Sequence, residues 1–87
     1  MSYKIQMTNN AFKDYQKIKV SKFAKKAKEL LQILEINPFQ IPPPFERLKG
    51  DLSGLCSRRI NKQHRLVYEV KNDCVIIKSM WTHYENI

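Results

Sequence analysis

His64-Arg65-Leu66-Val67-Tyr68-Glu69-Val70-Lys71-Asn72-Asp73-Cys74-Val75-Ile76-Ile77-Lys78-Ser79-Met80-Trp81 holds the signal that decides the fold. Two runs rich in Val, Ile, Leu and Tyr flank Asn72-Asp73, a pair of residue types suited to the positive φ of a two-residue hairpin turn. With those two residues as the loop, Val70 faces Val75, Tyr68 faces Ile77 and Leu66 faces Ser79. Successive strand residues point to opposite sides, so one face carries Leu66, Tyr68, Val70, Val75, Ile77 and Trp81. The other carries Arg65, Val67, Glu69, Ile76, Lys78 and Met80. The apolar face needs a cover, and Trp81 packs on it beside Tyr68 and Ile77.

The chain upstream supplies that cover. Tyr3 to Met7 alternates apolar and polar residues as a half-buried strand does, and Thr8-Asn9-Asn10 then offers N-cap residue types. From Ala11 to about Lys19, Phe12, Tyr15 and Ile18 line one side of a short helix. Ser21 is suited to cap a second helix, in which Phe23, Ala27, Leu30, Leu31 and Leu34 lie opposite Lys22, Lys25, Lys26 and Glu29. Asn37-Pro38 ends it, and Pro42-Pro43-Pro44 reads as a stiff, extended connector too short to link separate domains. Leu55 to Ile60 adds a strand before the hairpin. Residues 1–87 therefore form a single α+β domain: an N-terminal strand and two helices packed on an antiparallel sheet of four or so strands.

At 87 residues, with 43% hydrophobic and 28% charged side chains, the chain is a globular module without room for a second catalytic domain. Its sixteen Lys and Arg against eight Asp and Glu give a net charge of +8, which attracts polyanions and acidic surfaces. The run Lys22, Lys25, Lys26 and Lys28 is either a solvated helix face or part of such a surface. Neither a membrane-length apolar run nor the pattern of a signal peptide is present, so a soluble, cytoplasmic protein is expected, with no membrane partner. Cys56 and Cys74 lie far apart and lack ligand spacing, the acids are scattered, and His64 and His83 are the two histidines. Free thiols, no metal and no cofactor follow as expectations.

The stretch from Glu46 to Arg65 concentrates Arg47, Lys49, Arg58, Arg59, Lys62 and Arg65 against Glu46 and Asp51. Strands hold guanidinium groups in fixed rows, and their planar donor fork matches phosphate oxygens. The same arginines equally suit an exposed sheet face paired with Glu46 and Glu69, and Glu46 is also spaced to pair with Lys49 or Arg65.

Glu46-Arg47-Leu48-Lys49-Gly50-Asp51-Leu52-Ser53-Gly54, then Ser57-Arg58-Arg59-Ile60, His64-Arg65-Leu66-Val67-Tyr68 and the terminal His83-Tyr84, taken in that order, resemble the YoeB (Txe/YoeB) toxins of the RelE superfamily. The resemblance covers nearly the whole chain. It implies a RelE-like fold and the toxin of a type II toxin-antitoxin system: a ribosome-dependent endoribonuclease that cleaves mRNA in the A site without metal. By motif position, Glu46 is the base, His83 the acid, Arg65 the clamp on the transition state and Tyr84 an orienting or stacking group. Lys49, Arg58 and Arg59 are auxiliary phosphate contacts. The implied partners are a YefM-type antitoxin, the ribosome with its mRNA, a second copy in a homodimer, and operator DNA only through the antitoxin complex. A non-catalytic ParE-like scaffold and a general basic RNA-binding protein are the alternatives.

Two departures stand out. Leu55-Cys56 replaces aromatics common in the family, and Glu85-Asn86-Ile87 extends the chain past His83-Tyr84. Strict strand alternation also sets His83 on the Trp81 face, opposite Arg65, so that joint action by the two requires a bend after Trp81.

Overall fold

The Asn72-Asp73 turn forms as its residue types dictate: Asn72 sits at φ 57° and Lys71 opposes Cys74 across it. The structure, a computed structural model, describes residues 2–81. Within them the chain runs β1 (Lys4–Met7), α1 (Asn9–Ile18), α2 (Ala24–Ile36), β2 (Glu46–Arg47), β3 (Cys56–Arg59), β4 (Arg65–Lys71) and β5 (Cys74–Ser79). The strands form one sheet in the order β1-β5-β4-β3-β2.

The sheet is mixed rather than antiparallel. β2 through β5 alternate in direction, but β1 lies beside β5 and parallel to it, with Lys4 opposite Cys74 and Met7 opposite Ile77. Alternation in a sequence reveals a strand but not its neighbour, so this pairing was illegible beforehand. β2 also escaped the sequence reading, because two residues are too few to display a period.

The hairpin register follows expectation from Lys71–Cys74 to Tyr68–Ile77, then shifts: Val67, not Leu66, faces Ser79. Lys78 is the extra residue of a β-bulge, which reverses the inward-outward parity of Ser79 and Met80. Met80 therefore enters the core, fully buried, where alternation had predicted Trp81. Trp81 is half-buried and stacks on His64, with ring centroids 4.2 Å apart and planes 20° from parallel. The backbone groups freed by the bulge are met by the first helical turns. Thr8 Oγ1 accepts from the Ala11 N–H at 3.1 Å as an N-cap and donates to the Lys78 carbonyl at 3.2 Å. The Met80 N–H donates to Asp14 Oδ2 at 3.0 Å.

Both helices pack on the face carrying Leu66, Tyr68, Val75 and Ile77, through Ala11 and Ile18 of α1 and Ala27, Leu30 and Leu34 of α2. Phe12, expected in that core, is 54% exposed, because Asp14 takes part of the sheet-facing arc to reach Met80. Ser21 does not cap α2 directly. Its hydroxyl donates to the Ile18 carbonyl and accepts from the Phe23 N–H, closing the turn between the helices, and α2 starts at Ala24. Among the described residues no helix is long and apolar enough to cross a membrane.

Candidate active site

The Ser57-Arg58-Arg59 run sends its two arginines to opposite faces of β3. Arg58 turns toward the helices and is 1% exposed. Its guanidinium donates to three backbone carbonyls of the connector: Pro43 at 2.6 Å, and Pro38 and Gln40 at 2.9 Å each. The Tyr68 hydroxyl donates to the same Pro38 carbonyl at 2.7 Å, and burial pushes its pKa up to about 12, offset in part by Arg58. Gathering carbonyls from residues 38 to 43 around one cation bends the connector, which is not the extended rod expected from its prolines.

Arg58 is thus a structural cation rather than a surface phosphate contact. It fixes the segment leading into β2, and Phe45 has two guanidiniums near its ring, Arg58 at 5.0 Å and Arg47 at 5.7 Å from the ring centre.

On the opposite face, Glu46 of β2 pairs in register with Ser57 of β3, Ser57 with Val67 of β4, and Val67 with Ser79 of β5. Ser57, Val67 and Ser79 form a buried floor across adjacent strands. The Ser57 and Ser79 hydroxyls have no hydrogen-bond partner among the described residues. Two residues along, Arg59 and Arg65 stand directly opposite each other. Strand spacing puts the Glu46 backbone roughly 8 Å from that of Arg59 and roughly 12 Å from that of Arg65, within the combined reach of their side chains.

The three side chains line one groove of about 410 Å³ together with Pro44, Phe45 and Ser57. Like charges facing each other across a ladder destabilise a sheet, and an anion between them reverses the sign of that term. A carboxylate at one rim and two guanidiniums at the other suit a bound phosphodiester whose neighbouring hydroxyl must lose a proton.

Lys49 lies just beyond β2. It lines an adjoining groove of about 470 Å³ with Glu46 and Arg47, in a loop whose turns are made by Gly50 at φ 65° and Gly54 at φ 96°. Glu46 and Lys49 form no ion pair among the described residues. The β3–β4 turn that sets Arg59 against Arg65 is held by Asn61, whose side-chain oxygen accepts from the N–H groups of Gln63 and His64. His83 and Tyr84 lie outside the described residues. The bend expected after Trp81 falls there too.

Ser57 and His64, quoted above only as parts of motifs, and Phe45 and Asn61 carry no role legible in the sequence. His64 is 7% exposed, edge-on to Phe23 and stacked on Trp81. Burial lowers its pKa below the ordinary histidine value, opposed in part by the Asp14 carboxylate. Cys56 is buried among the core residues, and its thiol pKa is raised by burial against the lowering effect of Arg47 and Arg58. No group of three or more His, Cys, Asp or Glu arranged to hold a metal ion occurs among the described residues.

Two helices on one face of a five-stranded mixed sheet, with the Glu46 groove on the other, place the chain in the RelE-like fold class. Within that class, residues 7–84 match the family model for the YoeB-like toxin of the bacterial type II toxin-antitoxin system, and the chain belongs to that family. It is 37% identical over 83 residues to toxin YoeB of Streptomyces coelicolor, covering 93% of this chain and 99% of that one. It superposes on the toxin of the YoeB-YefM complex from Staphylococcus aureus with a TM-score of 0.81 at 36% identity, covering 97% of this chain and 100% of that one. The YoeB dimer from the same organism gives 0.82 at the same identity and coverage.

Proposed function

We propose that this toxin is a ribosome-dependent endoribonuclease that cuts mRNA in the A site and so stops translation in the cytoplasm. The observation that carries this reading is the convergence of Glu46, Arg59 and Arg65, from three different strands, on one groove.

Glu46 takes the proton from a ribose 2'-hydroxyl, whose oxygen bonds to the adjacent phosphorus as the bond to the 5'-oxygen breaks. His83 protonates that leaving oxygen. The products are a 2',3'-cyclic phosphate and a 5'-hydroxyl. Arg65 balances the charge that builds on the phosphorane, Arg59 and Lys49 hold neighbouring phosphate, and Tyr84 orients or stacks on the substrate. The nucleophile belongs to the RNA itself, so the step calls for no metal or cofactor. Ribosome dependence follows where the catalyst relies on another body to hold the message in line for attack.

A YefM-type antitoxin is the neutralising partner, operator DNA is contacted only through that complex, and a homodimer is the other assembly. Both partners are named in the S. aureus structures.

Adding purified protein to a translating extract should truncate messages with 3' ends clustered inside reading frames. Glu46→Ala and His83→Ala should each lower cleavage by about 10²- to 10⁴-fold. Unchanged cleavage in both variants removes the assigned roles. Binding to free RNA without cleavage favours a basic RNA-binding protein instead.

A further inference from the structure

Ser57 lines the Glu46 groove, yet its hydroxyl contributes no bond to the fold. The residue is 1% exposed, and among the described residues that hydroxyl has no hydrogen-bond partner. An oxygen removed from water and left unpaired lowers the stability of a small domain, so its presence in the floor of a groove points to a task there.

The strand register narrows the task. Glu46 and Ser57 are directly opposed across β2 and β3, which sets their Cβ atoms roughly 5 Å apart on one face. β2 is the edge of the sheet, Glu46 is exposed on it, and among the described residues its carboxylate forms no ion pair. A glutamate so placed spreads over many rotamers, whereas a general base must hold one.

The other polar side chains lining the groove are Arg59 and Arg65. Pairing the carboxylate with either guanidinium would take a cation from the phosphate and weaken the base. The Ser57 hydroxyl is neutral and donates a single hydrogen bond, which leaves the carboxylate its charge and its remaining lone pairs for the 2'-hydroxyl. Burial also separates this role from a contact to RNA: an oxygen with so little surface is met by a neighbouring side chain, not by a phosphate arriving from solvent.

We propose, on the reading of Glu46 as the base, that Ser57 is its positioning residue. Once RNA fills the groove, the Ser57 hydroxyl donates to the Glu46 carboxylate and holds the free oxygen toward the 2'-hydroxyl.

The test follows single-turnover cleavage of a message on stalled ribosomes against toxin concentration, with the full-length wild type, Ser57→Ala, Glu46→Ala and the double variant. Ser57→Ala removes an unpaired buried oxygen, so its thermal midpoint should equal or exceed that of wild type. Its maximal rate should fall about 10-fold while the half-saturating toxin concentration stays within about twofold, because the bond forms only around the base. In the Glu46→Ala background the same substitution should change the residual rate by less than about twofold, since no carboxylate remains to be held.

A wild-type maximal rate in Ser57→Ala overturns the proposal. So does a loss of the same size in the Glu46→Ala background, which makes Ser57 a contact to the RNA, and so does a lowered midpoint, which makes the hydroxyl part of the fold. Full cleavage by Glu46→Ala alone removes the reading of the base itself and registers independently of Ser57.

Discussion

Arg58 and Arg59 are adjacent in sequence and opposite in role, because a strand points neighbours to different faces. Arg58 holds three carbonyls that no lysine can span from a single ammonium with the same fork. Arg58→Lys should therefore cost about 3 kcal/mol, at about 1.5 kcal/mol or more for each of two lost charge-assisted bonds. In a domain this small that lowers the thermal midpoint by roughly 15 °C, measurable by circular dichroism. Arg59→Lys, at an exposed position, should leave the midpoint within about 2 °C. His64 gives a pH signature at the same scale. Its folded-state pKa lies below its unfolded value of about 6.5, so the unfolded chain binds the proton more readily. The stability this contributes is present above that pH and is lost as pH falls through the folded value. Between pH of about 7.5 and 5.5 the midpoint should fall more steeply for wild type than for His64→Phe, which keeps the stack on Trp81 without a titrating ring. Equal slopes would remove His64 as the source.

The bulge in β5 shows how one element corrects another. Thr8 begins α1 and, through a single hydroxyl, also holds the Lys78 carbonyl. Thr8→Val keeps the shape and loses both bonds, so it should cost about 1–2 kcal/mol in urea denaturation, whereas Thr8→Ser should cost a few tenths. Comparable losses in the two variants would mean that the methyl group matters as much as the hydroxyl. The same element marks the limit of what the sequence could disclose. The helices, the Asn72-Asp73 hairpin and the alternation in β1 were legible because each is a local period or a local turn preference. The Lys78 bulge was not, since the groups that satisfy its backbone come from Thr8 and Asp14, 70 and 66 positions from their partners. Nor was the parallel pairing of β1 with β5. For the site, Glu46, Arg59 and Arg65 stood out as charges in a recurring order. Arg58 looked identical to Arg59 until burial separated them, and Ser57 and Phe45 offered no chemical signal by residue type.

Across the whole molecule the net charge of +8 attracts polyanions of any kind, whereas the Glu46 groove gathers only two of the sixteen cations, Arg59 and Arg65. The chain spans 30 × 30 × 25 Å, so opposite edges lie several Debye lengths apart at physiological salt, where one Debye length is about 8 Å. A cation on the β1 edge therefore contributes to long-range steering and little to the field inside the Glu46 groove, which β2, β3 and β4 form at the other side of the sheet. This separates net charge from direct contact in one measurement: cosedimentation with ribosomes stalled on a message, over salt concentrations from roughly 50 to 200 mM. Each phosphate contact to single-stranded RNA adds about 0.7 to the steepness of log affinity against log salt. Lys49→Ala and Arg59→Ala should each flatten the line by about that amount, whereas Lys4→Ala removes the same charge and should leave the slope unchanged. If all three variants flatten it equally, binding is set by total charge, and the ordered row of Arg59 and Arg65 beside Glu46 plays no selective part in holding the message.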